Sequence, residues 1–245
     1  MVRQTGFGIE AMIILIANSL AYFDGTRRYD LGGLSPDQVY PRILEKSLGT
    51  HVLSFAEPWR TVKDARSLVK KIPPVKASVF ILNVGMAESL PKVYPFRVRM
   101  LVDRVRWRPL RRRLNKFESI LLRISKKQKG WIDPDHFRKY LKETVDIARV
   151  RFGPSKIILV NVFHVPQSLE SKKQGTVRNA AALNQVIKES SEELGAYLLD
   201  AESIFDSSYF LPDLVHLNAL GHIKMASVLQ DIIEEKGEIK LDSSR

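Results

Sequence analysis

Short apolar runs alternate along this chain with stretches of helical periodicity, and that alternation is what most restricts its fold. Met12 to Ala17 and Ala77 to Val84 are apolar almost throughout, without the every-other-residue polar positions of a strand wetted on one face, so each needs cover on both sides. Strands of that kind belong to parallel sheets, whose crossover connections supply the covering helices. The other segments fit the same scheme. A loop from Asp24 to Pro36, rich in glycine and charge, leads to a helix predicted to start near Ser35-Pro36-Asp37, with serine at the cap and proline in the first turn. Val39, Ile43, Leu44 and Leu48 give it an apolar stripe, and Gly49 ends it. His51 to Phe55 reads as a second strand and Thr61 to Lys71 as a helix with Ala65, Leu68 and Val69 inward. Farther on come a helix from Lys139 to Phe152, a strand from Lys156 to Phe163, a long helix from Val177 to Leu194 and a short strand from Tyr197 to Asp200. The predicted class is α/β: a three-layer α/β/α arrangement around a central parallel sheet of about five strands.

At 245 residues, without internal repeats or low-complexity segments, the chain is expected to form a single domain spanning residues 1–245. Between the third strand and the helix at Lys139 lies a stretch from about Pro91 to Pro134, longer than an ordinary connection and carrying its own apolar residues, among them Trp107, Phe117 and Trp131. It is predicted to be a helical lid or insertion at 91–134. Much of the formal net charge of +12 sits there, with Arg104, Arg106, Arg108, Arg111, Arg112 and Arg113 crowded together. Such a segment is either a solvated basic face or a grip on an acidic partner. Nucleic-acid binding is the weaker version of the second reading, since few aromatics are interleaved and no recognised module accompanies the arginines.

The absence of cysteine excludes disulfides, thiolate catalysis and cysteine zinc sites. The apolar run from Ile9 to Leu20 is broken by Glu10 and Asn18 and is too short to span a bilayer, and the start lacks the regions of a signal peptide, so a cytoplasmic location is expected. No metal-binding cluster, Walker motif or dinucleotide glycine loop is present.

Chemistry is suggested at the two ends. Ser19 follows the first apolar strand in Asn18-Ser19-Leu20, at the rim where open α/β sheets usually bind ligands. Far downstream, Asp213-Leu-Val-His216 sets a carboxylate three residues before an imidazole, a spacing that lets the carboxylate orient the ring as a base. A serine, a histidine and an aspartate in hydrogen-bonding series make an acyl-transfer nucleophile. The bland alternatives are that Ser19 caps the following helix and that His216 is a structural histidine. His164, at the end of the fourth strand, is within reach of the site's rim but is better read as a hydrogen-bonded structural histidine, and His222, on the terminal helix beside Lys224, is expected to be packed or exposed.

The serine after strand one, together with D-x-x-H near the C-terminal end, resembles the SGNH (GDSL-type) hydrolase superfamily. The resemblance implies Ser19 as nucleophile, His216 as base and Asp213 as its orienter. In that family the oxyanion hole is formed by the serine N–H, a glycine N–H from a second block and an asparagine side chain from a G-x-N-D block. This chain departs from the pattern. Trp59 stands at the second-block glycine, where its backbone N–H can still donate but a side chain is unexpected, and Gly85-Met86-Ala87-Glu88 puts Ala87 at the asparagine and Glu88 at the aspartate. Asn18 replaces the aspartate before the serine. Gly85 to Pro91 with the arginines after it, and Gly32-Gly33-Leu34 before Tyr40-Pro41, look like a subset of actinobacterial SGNH acyltransferases that move a medium-chain acyl group onto a glucosylglycerate-type sugar.

The expected function is therefore a serine-dependent acyl-transfer enzyme, O-acyltransferase or esterase, with transfer ahead of hydrolysis. Asn18, Ala87, Glu88, Arg111, Arg112 and Arg113 are candidate substrate contacts. No cofactor is expected beyond an acyl donor, acyl-coenzyme A or an acidic acyl carrier protein, and the acceptor is a small molecule or sugar. The competing reading is a degenerate SGNH fold that binds without catalysis, motivated by Ala87 and Trp59.

Overall fold

The structure is a computed structural model that describes residues 12–21, 34–91 and 130–235, with a few positions between 107 and 120. Five strands form one parallel sheet in the order β2-β1-β3-β4-β5: β1 (Met12–Ala17), β2 (His51–Ala56), β3 (Val79–Asn83), β4 (Lys156–Val160) and β5 (Tyr197–Leu199). All of β3, and β1 after Met12, are buried, as their uninterrupted apolar sequences require. The helices are α1 (Tyr40–Leu48), α2 (Val62–Lys71), α3 (Met86–Ser89), α4 (Pro134–Phe152), α5 (Gln167–Lys172), α6 (Thr176–Glu193), α7 (Ala201–Ile204) and α8 (Ala219–Glu234). Helix α1 packs with α8, whereas α2, α4 and α6 pack side by side in that order. The two groups flank the sheet, giving the expected three-layer α/β/α class.

The register aligns the C-terminal ends of the inner strands, with Ala17 beside Ala56 on one side and Asn83 on the other, and Asn83 beside Val160. From β1 the chain steps outward to β2 and then returns across to β3, so the strand order reverses at β1. Ligands bind at such a reversal, outside the carboxyl ends of the strands.

Several boundaries shift for identifiable reasons. The Ser35-Pro36 start initiates only a three-residue turn of helix, Pro36–Gln38; Val39 is extended at φ −80° and ψ 143°, and α1 begins after it, with Pro41 inside its first turn where a missing N–H costs nothing. Helix α4 starts at Pro134, not Lys139, because the Asp133 carboxylate accepts the His136 N–H at 3.0 Å and caps an earlier turn. The fourth strand stops at Val160. The Asn161 N–H still reaches the Leu199 carbonyl at 3.3 Å while its side-chain amide donates to Asp200 at 2.7 Å, and the ladder is left at Val162, which donates its N–H to the Asn184 side chain at 2.7 Å.

Most of the 91–134 stretch lies outside the described residues; within it, described positions from Pro109 to Ile120 are helical, and Trp107, Phe117 and Ile120 are exposed. No helix among the described residues is long and apolar enough to cross a membrane.

Candidate active site

Three connections bring chemistry to the sheet's carboxyl edge. After β1, Asn18 donates its backbone N–H to Asn83 at 3.2 Å while its carbonyl accepts the Ala21 N–H, so the chain turns at once into the short helical turn Ser19–Ala21. Ser19 is thus held just past the strand end. After β3, Gly85 adopts φ 112°, and a Cβ there would lie 2.8 Å from the Val162 side chain; the permissive residue lets the chain bend tightly into α3. After β2 come Glu57-Pro58-Trp59-Arg60. The Arg60 N–H donates to the Glu57 carbonyl at 3.2 Å, and Trp59 has φ 64°, the left-handed region that glycine normally fills and that costs a bulky residue about 1–3 kcal/mol.

The fourth contribution comes from the loop before α8. Phe210 and Leu217 form an antiparallel bridge, and the Leu211 N–H donates to the His216 carbonyl at 2.8 Å, closing a tight loop around Asp213. Within it one Asp213 oxygen accepts the N–H groups of Val215 (2.9 Å) and His216 (3.0 Å), and the other contacts His216 Nδ1 at 2.5 Å. Partial burial alone would raise the Asp213 carboxyl, but the hydrogen bond and charge of His216 and the two backbone donors outweigh it and hold it at about 2. An ionised carboxylate can only accept, so Nδ1 carries the proton and Nε2 becomes the basic nitrogen. Asn218 braces the loop: its oxygen caps α8 through the Gly221 N–H at 3.0 Å, and its amide donates to the carbonyls of Ser208 (2.7 Å) and Phe210 (3.3 Å).

These connections line one cleft of about 360 Å³, which collects Asn18, Ser19, Trp59, Ala87, Asp213 and His216. Met86, Leu90, Leu169 and Val215 make much of its wall apolar, and Lys172 and Lys173 add positive charge. The two lysines arrive from α5 and the residue after it. Sequence reading missed them because a Lys-Lys pair after a short helix carries no mark of its destination.

Glu88 requires a correction. Expected as a substrate contact, it is 1 % exposed and is not among the cleft-lining residues. Its carboxylate accepts the backbone N–H groups of Val62 and Gly85, tying the start of α2 to the start of α3. The role is structural, because a buried carboxylate must find donors and two helix starts supply them. Ala87 lines the cleft with a methyl group and offers no side-chain donor. Arg113 is helical and exposed, while Arg111 and Arg112 lie outside the described residues.

His164 and His222 lie elsewhere. His164 is exposed beyond β4. His222, 2 % exposed on α8, accepts the Tyr40 backbone N–H on Nδ1 at 3.2 Å and stacks on the Tyr40 ring. Burial, and secondarily the charge of His216, lower its pKa to about 4. No group of three or more potential metal ligands is assembled among the described residues.

No protein-family model matches the chain, and no curated protein matches it. Solved structures do. A carbohydrate acetylesterase family member from Sinorhizobium meliloti superposes with a TM-score of 0.58 at 16% identity, over 91% of this chain and 97% of that one. A member of the lipolytic G-D-S-L family from Veillonella parvula gives 0.59 at 14% identity, over 92% and 100% of the two chains. The M. smegmatis aryl esterase gives 0.60 at 13% identity, over 91% and 98%. At these identities the likeness establishes a shared fold: this chain has the α/β architecture of the GDSL (SGNH) hydrolases along nearly its whole length.

Proposed function

We propose that the protein is a serine-dependent acyl-transfer enzyme that forms an acyl-enzyme on Ser19 and passes the acyl group to a hydroxyl acceptor or to water. The observation that carries this reading is a single cleft lined by Ser19 and by His216, whose Nδ1 is held by the Asp213 carboxylate at 2.5 Å. Ser19 Oγ attacks the carbonyl carbon of an ester or thioester as His216 Nε2 takes its proton. The tetrahedral oxyanion is met by backbone N–H groups at Ser19 and Trp59. Collapse breaks the bond to the leaving group, which departs with the proton from Nε2. An acceptor hydroxyl then gives its proton to Nε2, attacks the acyl-enzyme, and Ser19 regains its proton as the new ester leaves. Asp213 stays ionised throughout and steadies the imidazolium.

Support for acyl chemistry also comes from the fold neighbours, which include a carbohydrate acetylesterase and an aryl esterase. The charge of the cleft and of the insertion bears on the donor. Lys172 and Lys173 in the cleft, and the arginines of the 91–134 stretch, suit a donor carrying phosphates or acidic side chains, such as acyl-coenzyme A or an acyl carrier protein. The acceptor is then a small molecule or sugar, and the actinobacterial sugar acyltransferases remain the template for it.

Incubation of the protein with a panel of acyl donors, followed by intact-mass measurement, should reveal an acyl adduct that Ser19→Ala lacks. Removing one hydroxyl at the sheet edge costs at most a cap of about 0.5–2 kcal/mol, so the variant should still fold. Wild-type turnover by Ser19→Ala would overturn the assignment. The second reading, a binding protein without catalysis, draws on Ala87, which supplies no oxyanion donor; it predicts that a fluorophosphonate probe leaves Ser19 unlabelled.

A further inference from the structure

Why tryptophan occupies a position that suits glycine is answered by its side chain. The turn Glu57-Pro58-Trp59-Arg60 is locked from several directions: the Glu57 N–H donates to the Ala17 carbonyl at 3.2 Å, and the Arg60 guanidinium meets the Glu57 carboxylate at 2.8 Å. Thr61 then caps α2. None of these contacts involves the indole, so the turn has anchors of its own. The indole instead lines the cleft, and it stacks on Trp131 with ring centroids 6.1 Å apart and planes 29° apart. Trp131 is itself fixed, its N–H donating to the Glu88 carbonyl at 3.0 Å, directly after Gly130, where a Cβ would lie 2.5 Å from that same oxygen. Backbone strain maintained by such surroundings at a ligand site points to function.

We infer that the Trp59 side chain is a specificity-determining wall of the cleft, which admits acyl groups unbranched at the carbon next to the carbonyl and excludes branched ones. The inference rests on the acyl-transfer reading. Trp59 lines the same cleft as Ser19 and His216, so its side chain bounds the space open to the first carbons of an acyl group carried on Ser19. A flat indole backed by a second ring cannot yield there. Branching adds a methyl group where the wall stands, and one misplaced methyl in a formed pocket changes rates by about tenfold or more.

The test compares p-nitrophenyl butyrate with p-nitrophenyl isobutyrate on the wild type, Trp59→Gly and Trp59→Asn. Glycine and asparagine both accept the left-handed backbone, so at least one should fold. Wild type should prefer butyrate by about tenfold in kcat/KM, and either replacement should shrink that preference to within about threefold. Trp131→Ala should give an intermediate preference, since it removes the backing ring and leaves the indole. A wild type that treats the two esters alike, or a preference unchanged in both Trp59 variants, overturns the wall. Absence of turnover on any ester would instead defeat the acyl-transfer reading. The wall is then judged by binding of hexanoate against 2,2-dimethylhexanoate, followed through tryptophan fluorescence: tighter hexanoate binding lost in Trp59→Asn supports it, and equal binding of the two acids overturns it.

Discussion

His222 shows how one side chain can be central to the architecture and absent from the chemistry. Its Nδ1 must stay unprotonated to accept the Tyr40 N–H, and burial holds its pKa at about 4, against about 6.5 in an unfolded chain. Between those values the unfolded state binds more protons, so stability should be complete above about pH 6.5 and fall as the pH drops toward 4. His222→Asn, whose oxygen can replace Nδ1 as acceptor, should flatten that slope in denaturant titrations across pH 4–6.5; an unchanged slope would assign the titration to another group. Nothing in Gly221-His222-Ile223 distinguished a helix-buried histidine from an exposed one, because its partner is 182 residues away. The Asp213–His216 contact was legible for the opposite reason. Its partners are three residues apart, and local spacing survives in a sequence where long-range pairing does not. Trp59 falls between these cases: its place in the turn could be read from Pro58 before it, but the position of its indole depends on Trp131, across the insertion.

Among the elements, α3 has four residues and no stability of its own, yet it positions Met86 and Ala87 in the cleft. What holds it is the Glu88 carboxylate bridging Val62 and Gly85. Glu88→Ala would leave two buried N–H groups unpaired and should cost about 2–4 kcal/mol in chemical denaturation, whereas Glu88→Gln keeps an acceptor and should lose less. Equal losses would show that shape, not hydrogen bonding, is what the site needs. The strands and the longer helices were visible in the sequence because each carries its own periodicity and its own stop, as Gly49 does after α1 at φ 62°. The errors arose where a side chain diverts the backbone: Asp133 starting α4 early, and Asn184 drawing Val162 out of the fourth strand. Such diversions depend on a partner, and periodicity does not record partners.

For the molecule as a whole, a formal net charge of +12 is a long-range field as well as a local feature, and it should draw anionic donors toward the cleft. Reversing Arg111, Arg112 and Arg113 to glutamate should raise the apparent Michaelis constant for acyl-coenzyme A or a carrier protein severalfold at low salt and abolish the salt dependence seen in the parent. Hydrolysis of a small uncharged ester should change far less; equal loss on both substrates would make the segment a structural lid. The order of the chain adds a temporal consequence. Ser19 lies in the first strand connection, while the loop that orients His216 is pinned by Asn218 to the start of α8, the last described helix. On the ribosome the serine half of the site therefore emerges early without a base, and the base is not aimed until α8 has folded. A nascent chain of this design stays chemically silent until α8 has cleared the ribosome, so reactivity toward a serine probe should appear abruptly once a C-terminal spacer on stalled chains carries residue 234 beyond the exit tunnel.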